Sequence, residues 1–200
     1  MAWDTEATRQ KLLDAATEEF SARGFAGARI GEISRRSGCN RERIYWYFGD
    51  KVKLFEAVLT RHLVTALEGL PVEGTGPEAL SDFAGRYFDI SARHPGLARL
   101  TYWEGLERGQ PVDLERRACR AARKVAEIQT ALPGIGQEEA ENLLLTIVTL
   151  CHSWVSTPNI SAVLSAGSSD ESRRSFIMKA VALVAADALS AGPLDMTNLN

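Results

Sequence analysis

Residues 30–48 read IGEISRRSGCNRERIYWYF, and this stretch decides the fold. Two short helical segments, Ile30–Ser37 and Arg41–Phe48, flank the turn Ser37-Gly38-Cys39-Asn40. Gly38 supplies the backbone freedom that a tight turn needs, and Asn40 is a good N-cap for the second segment. Ile44 and Phe48 lie four residues apart, share one face, and are expected to pack inward on Ile30 and Ile33. Arg41, Glu42, Tyr45 and Trp46 fall on other faces. Two arginines and three consecutive aromatics are poorly explained by an isolated surface helix. The alternative, that Tyr45, Trp46 and Tyr47 are all core, stays open at this point.

Outward from this pair, nearly every segment reads as helix. Over 8–22, Leu12, Leu13, Ala16 and Phe20 recur at helical spacing, and Gly24 follows as a stop. Asp50 is the expected N-cap of a long helix over 51–69, with Val52, Phe55, Val58, Leu59, Leu63 and Leu67 as its apolar stripe. Leu70–Pro77, rich in Gly and Pro, predicts a loop. Further helices are expected over 77–93, 97–108 and 111–131, the last with Pro111 in its first turn, then over 138–156 and 170–191. No stretch shows the period-2 alternation of an amphipathic strand. The expected class is all-α.

The chain's 200 residues carry 23 basic and 26 acidic side chains, a net charge of −3. That total gives no hint of a nucleic-acid partner, but its distribution does. Residues 23–53 hold Arg23, Arg29, Arg35, Arg36, Arg41, Arg43, Lys51 and Lys53 against only Glu32, Glu42 and Asp50, a net of +5. Residues 1–22 carry −3 and residues 54–200 carry −5. A compact basic block in an acidic chain is a partner signal, the alternative being a solvated charged face. Other classes fall away. Cys39, Cys119 and Cys151 are odd in number and widely spaced, so neither a disulfide framework nor a zinc site is expected, and the compartment reads as the reducing cytoplasm. The start, Met1 to Glu6, has no basic or apolar leader region, so no secretion signal is expected. The densest apolar run, Leu143–Leu150, is far short of the roughly 20 residues that span a bilayer.

A short helix, a glycine turn and a second short helix inside a basic block form a helix-turn-helix signal. The second helix fits the major groove of DNA, its N-terminal side chains reach base edges, and surrounding Arg, Lys and Tyr groups fix it to phosphates. From about Thr8 to Leu59 the sequence resembles the TetR-type one-component transcriptional regulators. The residues that carry the resemblance are Leu13-x-x-Ala16-x-x-x-Phe20-x-x-x-Gly24-Phe25, Ile30-x-Glu32-Ile33-Ser34, Ser37-Gly38-Cys39-Asn40, Ile44-Tyr45-Trp46-Tyr47-Phe48-Gly49-Asp50-Lys51 and Leu54-Phe55-x-Ala57-Val58. The resemblance implies a three-helix DNA-binding domain over 1–50 and a helical effector-binding and dimerisation domain over 51–200. It implies that Arg41, Glu42, Arg43 and Trp46 face bases, and that Asn40, Tyr45, Tyr47 and Lys51 touch the phosphate backbone. The sequence departs from the pattern twice. Ala28-Arg29 stands where a capping Thr or Ser is common, so Arg29 is expected to act as a point charge. Bulky Glu42 and Arg43 stand where small residues are common, which suggests other base preferences or an intrahelical pair.

Beyond residue 54 the residues say less. Leu143, Leu144, Leu145, Ile147, Val148, Leu150, Cys151, Trp154 and Val155 wrap more than one face of their helix, and Phe176, Ile177, Ala180, Val181, Val184, Ala188 and Leu189 form a stripe on the last. Two such helices per chain suit a four-helix bundle with a second chain, a homodimer through the last two helices, against the alternative of intrachain core. Candidate contacts for an unknown small-molecule effector are His62, Phe83, Tyr87, Tyr102, Trp103 and His152, with Phe88, Glu104, Glu107 and Trp154 beside them. The three histidines are isolated, no catalytic constellation is placed, and no cofactor or metal is expected. The leading expectation is a ligand-responsive regulator, a repressor released from a double-stranded palindromic operator by a small molecule. An architectural DNA-binding protein without effector and a small all-α enzyme are the other readings.

Overall fold

The computed structural model describes residues 5–191, apart from the side chains of 63–68 and 191. Its elements are the helices α1 (Thr5–Gly27), α2 (Ile30–Ser37), α3 (Arg41–Phe48), α4 (Lys51–Glu68), α5 (Pro77–Arg93), α6 (Pro95–Glu107), α7 (Leu114–Ala131), α8 (Gln137–Ser156), α9 (Pro158–Leu164) and α10 (Asp170–Ala191). Among the described residues there is no strand. The all-α expectation holds. Leu63 and Leu67 of the expected α4 stripe lie outside the described side chains.

Three local departures have physical reasons. α1 is broken at Gly24, whose φ of 70° and ψ of −179° are not helical, so the expected stop is real although one more turn follows it. α7 starts at Leu114 and not at 111, because Asp113 adopts a φ of 52° and a residue there cannot continue a helix. The loop before it is held by Glu104, whose Oε1 accepts from Val112 N at 2.7 Å. α9 was not expected; its start signal is Pro158 in the first turn, directly after Thr157.

The contacts divide the chain into two compact units. The first holds the described residues to Thr65 together with Pro95–Leu114, and the second holds Ala66–His94 and the described residues from Glu115 onward. This division differs from a 50/51 boundary: most of α4, and all of α6, belong with the helix-turn-helix. The cause is visible in the core of the first unit. Leu12, Leu13, Ala16 and Phe20 of α1, Ile33 of α2, Ile44 and Phe48 of α3, and Leu54, Phe55, Val58 and Leu59 of α4 are all buried. Phe20 meets Phe55 edge-on at 5.1 Å, and Phe25 meets Phe55 at 5.5 Å.

In the second unit α5 packs on α8 and α10. Leu80, Phe83, Tyr87 and Phe88 of α5, Leu143, Ile147 and Cys151 of α8, and Ile177, Val181 and Ala185 of α10 are buried. Gly85 lets α5 and α10 approach closely, since a β-carbon there would stand 2.7 Å from Met178 Sδ. Arg174 Nε donates to Asp89 Oδ1 at 2.8 Å across the same pair.

Phe20 is fully buried in the aromatic cluster. Phe20→Ala should therefore cost about 3–5 kcal/mol, the usual range for emptying an aromatic site in a core, read from urea denaturation followed by circular dichroism.

Candidate nucleic-acid interface

α2 and α3 meet across a turn in which Gly38 takes φ 68° and ψ 14°, a left-handed geometry that glycine adopts without strain. Asn40 Oδ1 accepts from Arg43 N at 2.9 Å and so caps α3, while its Nδ2 donates to Glu42 at 3.3 Å. The partner found for Glu42 is thus the capping amide. Ser34 Oγ donates to the Cys39 carbonyl at 2.6 Å, and Cys39 is buried as a packing residue.

This leaves α3 with two unlike faces. Ile44 and Phe48 are buried, whereas Tyr45 is 47% and Trp46 74% exposed. The reading in which all three aromatics are core therefore fails. Tyr47 is half-buried, and its hydroxyl donates to the Thr5 carbonyl at 3.1 Å, so it also ties α3 to the start of α1. Arg41 and Glu42 are exposed and Arg43 is half-buried. The Arg41 guanidinium lies over Gly31 of α2, where a β-carbon would sit 2.5 Å from Nη2.

Arg29 occupies the N-cap position of α2 and provides no side-chain cap, as Ala28-Arg29 in place of a hydroxyl residue implies. A buried carboxylate compensates from α1: Glu19 Oε1 accepts from Arg29 N at 3.1 Å. Glu19 is 0% exposed, and a buried carboxylate needs cationic neighbours; these are Arg23 Nε at 3.6 Å and Arg36 Nη2 at 3.7 Å. Sequence reasoning missed Glu19. The signal was there, since it stands seven residues after Leu12 and three after Ala16, inside the apolar stripe of its helix.

The basic block is thereby sorted. Arg35 Nη2 lies 2.6 Å from Glu32 Oε1, Arg36 Nε lies 3.0 Å from the same oxygen, and Arg36 Nη1 lies 3.0 Å from Glu18 Oε2. The hydrogen bonds from Arg35 and then Arg36 pull the Glu32 carboxyl down to about 2, so it stays ionised and paired. Arg29, Arg41 and Lys53 are exposed. At the start of α4, Asp50 Oδ1 accepts from Lys53 N at 2.8 Å, the expected cap. Lys51 Nζ donates to the Ala26 carbonyl at 3.3 Å and stands 4.9 Å from the centre of the Phe25 ring.

The effector candidates divide between the two units. In the first, His62 shares a hydrogen bond of 3.0 Å with Thr17 Oγ1, Tyr102 is half-buried, and Trp103 Nε1 donates to the Ser21 carbonyl at 3.2 Å. Glu104 is buried and Glu107 exposed. In the second, Phe83, Tyr87, Phe88 and His152 are buried together. Tyr87 Oη lies 2.8 Å from His152 Nε2, with the rings stacked at 5.6 Å. Trp154 Nε1 donates to Asp170 Oδ1 at 2.7 Å, and its ring lines an open cavity of about 280 Å³ with Pro158, Ser161 and Ser165, which the sequence did not announce. Among the described residues no group of three or more His, Cys, Asp or Glu could hold a metal ion. No single described helix is long and apolar enough to cross a membrane.

Comparison with known proteins places both regions. Residues 12–58 match the bacterial regulatory proteins of the tetR family, and residues 79–182 match the tetracyclin repressor-like C-terminal domain. The chain is 34% identical over 177 residues to the HTH-type transcriptional repressor SCO4008 of Streptomyces coelicolor, covering 83% of this chain and 88% of that one. It is 30% identical over 161 residues to the HTH-type transcriptional repressor NicS of Pseudomonas putida, covering 77% and 74%. The crystal structure of SCO4942 from Streptomyces coelicolor superposes with a TM-score of 0.72 at 29% identity, over 87% of this chain and 96% of that one.

The Tyr87–His152 pair makes the fold sensitive to acid. Burial raises the Tyr87 hydroxyl above its ordinary range, takes the neighbouring Cys151 thiol up to about 12, and lowers His152 from 6.5 to about 4. Above pH 6.5 the imidazole is neutral whether the chain is folded or not. Between 6.5 and 4 the unfolded chain takes up a proton that the folded chain refuses, so stability falls as the pH falls. Below 4 the folded ring protonates too and the loss levels off at about 3 kcal/mol. Urea midpoints measured from pH 7.5 to 4 should show this decline, and His152→Gln, which cannot titrate, should flatten it.

Proposed function

The chain belongs to the TetR family of bacterial regulatory proteins, and from that premise we propose that it is a homodimeric repressor that leaves a palindromic operator when a small molecule binds. It is a DNA-binding transcriptional regulator and not an enzyme, as the family's members are. The observation that carries the finer reading is the two-faced α3: Ile44 and Phe48 are anchored in the core while Arg41, Glu42, Tyr45 and Trp46 stand out from it. A helix held by one face with cationic and aromatic groups on the other suits the major groove. Arg41, Glu42, Arg43 and Trp46 then read bases. Arg29, Asn40, Tyr45, Tyr47 and Lys51 hold phosphates, with Lys51 acting beside the N-terminal amides of α4.

Repression is supported by the names of the two relatives, both repressors. In this reading residues 1–50 bind DNA and 51–200 bind the effector and pair the subunits, in the cytoplasm where the operator is. Dimerisation through α8 and α10 is supported by the apolar side chains these helices leave exposed: Leu145 on α8, and Phe176, Leu183 and Val184 on α10. A two-fold pair of such faces forms a four-helix bundle and presents two copies of α3 to two half-sites. Effector contacts come from the aromatic and polar candidates of the helical domain, with the Tyr87–His152 pair as a ready donor and acceptor. The effector acts by favouring a dimer that binds the operator less well.

Footprinting on DNA upstream of the protein's own and neighbouring genes should reveal a protected palindrome. On it, Arg41→Ala should cost about 1–3 kcal/mol and relax one base position, whereas Lys51→Ala should weaken all site variants alike and flatten the salt dependence. An even loss across all variants for Arg41→Ala would remove Arg41 from base reading.

Leu183→Asp puts a charge into the proposed bundle. Sedimentation at micromolar concentration should give a dimer for the wild type and a monomer for the variant, and a variant that stays dimeric would move the interface away from this face of α10.

A further inference from the structure

The connection between α1 and α2 poses a question of backbone hydrogen bonding. At Gly24 the chain leaves the helix with φ 70°, so the peptide groups around it lose their intrahelical partners. The structure supplies them from the last turns of α6. Phe25 N and Ala26 N both donate to Glu107 Oε2, at 2.5 and 3.0 Å. Trp103 Nε1 takes the Ser21 carbonyl at 3.2 Å. The fit is close enough that a β-carbon at Gly24 would stand 2.6 Å from Glu107 Oε1 and 2.8 Å from the Trp103 ring. From the other side, Lys51 Nζ takes the Ala26 carbonyl at 3.3 Å. The centre of the Phe25 ring has the Lys51 ammonium at 4.9 Å and the Arg108 guanidinium at 5.4 Å.

We propose that Glu107 is a positioning residue for operator binding: by clasping the Phe25 and Ala26 amides it fixes the α1–α2 connection, and with it the start of α2 and the seat of Lys51. Bonds from backbone N–H to an ionised carboxylate are stronger than neutral ones, and here one oxygen serves two successive amides. Three residues on from Ala26 comes Arg29, the N-cap of α2, itself tied to Glu19. The two carboxylates thus hold both ends of the Phe25–Arg29 segment, Glu107 from α6 and Glu19 from α1. Glu107 touches no DNA in this assignment. Its sign is informative: an exposed carboxylate on a unit that binds phosphates repels them, so a bystander at 107 would improve binding when neutralised. A positioning residue does the opposite.

The proposal rests on the operator reading for its consequence, and the test separates the two. In full-length Glu107→Gln, amide exchange at Phe25 and Ala26 followed by NMR should speed up by about tenfold or more, with DNA absent. Affinity for the footprinted palindrome should fall about tenfold, equally across base variants of the site, with the slope against salt unchanged, because the bound complex still makes the same phosphate contacts through Arg29 and Lys51 and the loss is the cost of ordering the connection on binding. The thermal transition should stay close to that of the wild type, and Glu107→Ala should show the same pattern more strongly. Unchanged exchange at the two amides overturns the clasp. Unchanged or tighter operator binding, a loss confined to one base position, or a salt slope reduced by about one overturns the positioning role. A wild-type protein that protects no palindrome overturns the operator reading, and the exchange measurement still decides the clasp.

Discussion

At Gly24 the backbone turns to φ 70°, and the Trp103 ring and the Glu107 carboxylate stand where a β-carbon would be. Any other residue would meet strain and collision together. Much of the first unit follows from that constraint. The turn returns Phe25 to the ring cluster of Phe20 and Phe55, at 6.3 and 5.5 Å. It presents the Phe25 and Ala26 amides to α6 and the Ala26 carbonyl to α4. It also brings Arg29 back to Glu19, so that α2 starts without a side-chain cap of its own. A three-helix reader is thus held by two further helices, and the contacts group α4 and α6 with it.

The same packing decides what the basic block is for. Of its eight cations, Arg23, Arg35 and Arg36 face carboxylates of α1 and α2. The exposed pair of Arg35 with Glu32 contributes little stability, whereas Arg23 and Arg36 offset the burial of the Glu19 carboxylate. Their shared effect is on direction: Arg36 ties α2 to α1, and all three guanidinium groups are drawn toward the protein's own carboxylates. Salt dependence of DNA binding counts phosphate contacts and not formal charge, so a net of +5 overstates the reach of the block. Arg29, Arg41 and Lys53, near the starts of α2, α3 and α4, are exposed. The net charge of −3 for the whole chain is compatible with such a reader, because the field that matters is local.

Legibility followed the range of the interactions. Gly38, Asn40, Asp50 and the Ile44–Phe48 face act within a few residues, and their roles could be read directly from spacing and turn chemistry. The aromatic cluster was legible as a stripe but not as a set of rings. Glu19 was visible only as an anomaly, a carboxylate in an apolar register, and nothing local says that its partner is the backbone of Arg29. Trp103 and Glu107 were the hardest, since their partners lie about eighty residues earlier. Seen alone, Tyr102-Trp103-Glu104 resembles the wall of a ligand site; in the fold, Trp103 closes a chain reversal and Glu104 caps a loop. Helix α9 and the start of α7 were lost for the opposite reason: single local signals, at Pro158 and Asp113, were outweighed by longer patterns around them.

α10 shows how composition and exposure together constrain assembly. Ile177, Val181 and Ala185 recur every four residues and are buried, which satisfies one face against α5 and α8. Phe176, Leu183 and Val184 occupy another face and are exposed, Leu183 to 63%. A helix apolar on more than one face belongs in an interior, yet the described residues cover only part of this one. Leu145 on α8 adds to the uncovered area. Burial of such side chains against protein is worth roughly 1.5–3 kcal/mol each, too much to leave in water without another role. In the homodimer proposed above a second copy of the chain covers this face economically, because in a two-fold pairing the same face covers itself and no separate complementary surface has to be built. The two-fold symmetry of the proposed homodimer is also the symmetry that the proposed palindromic operator requires of its reader.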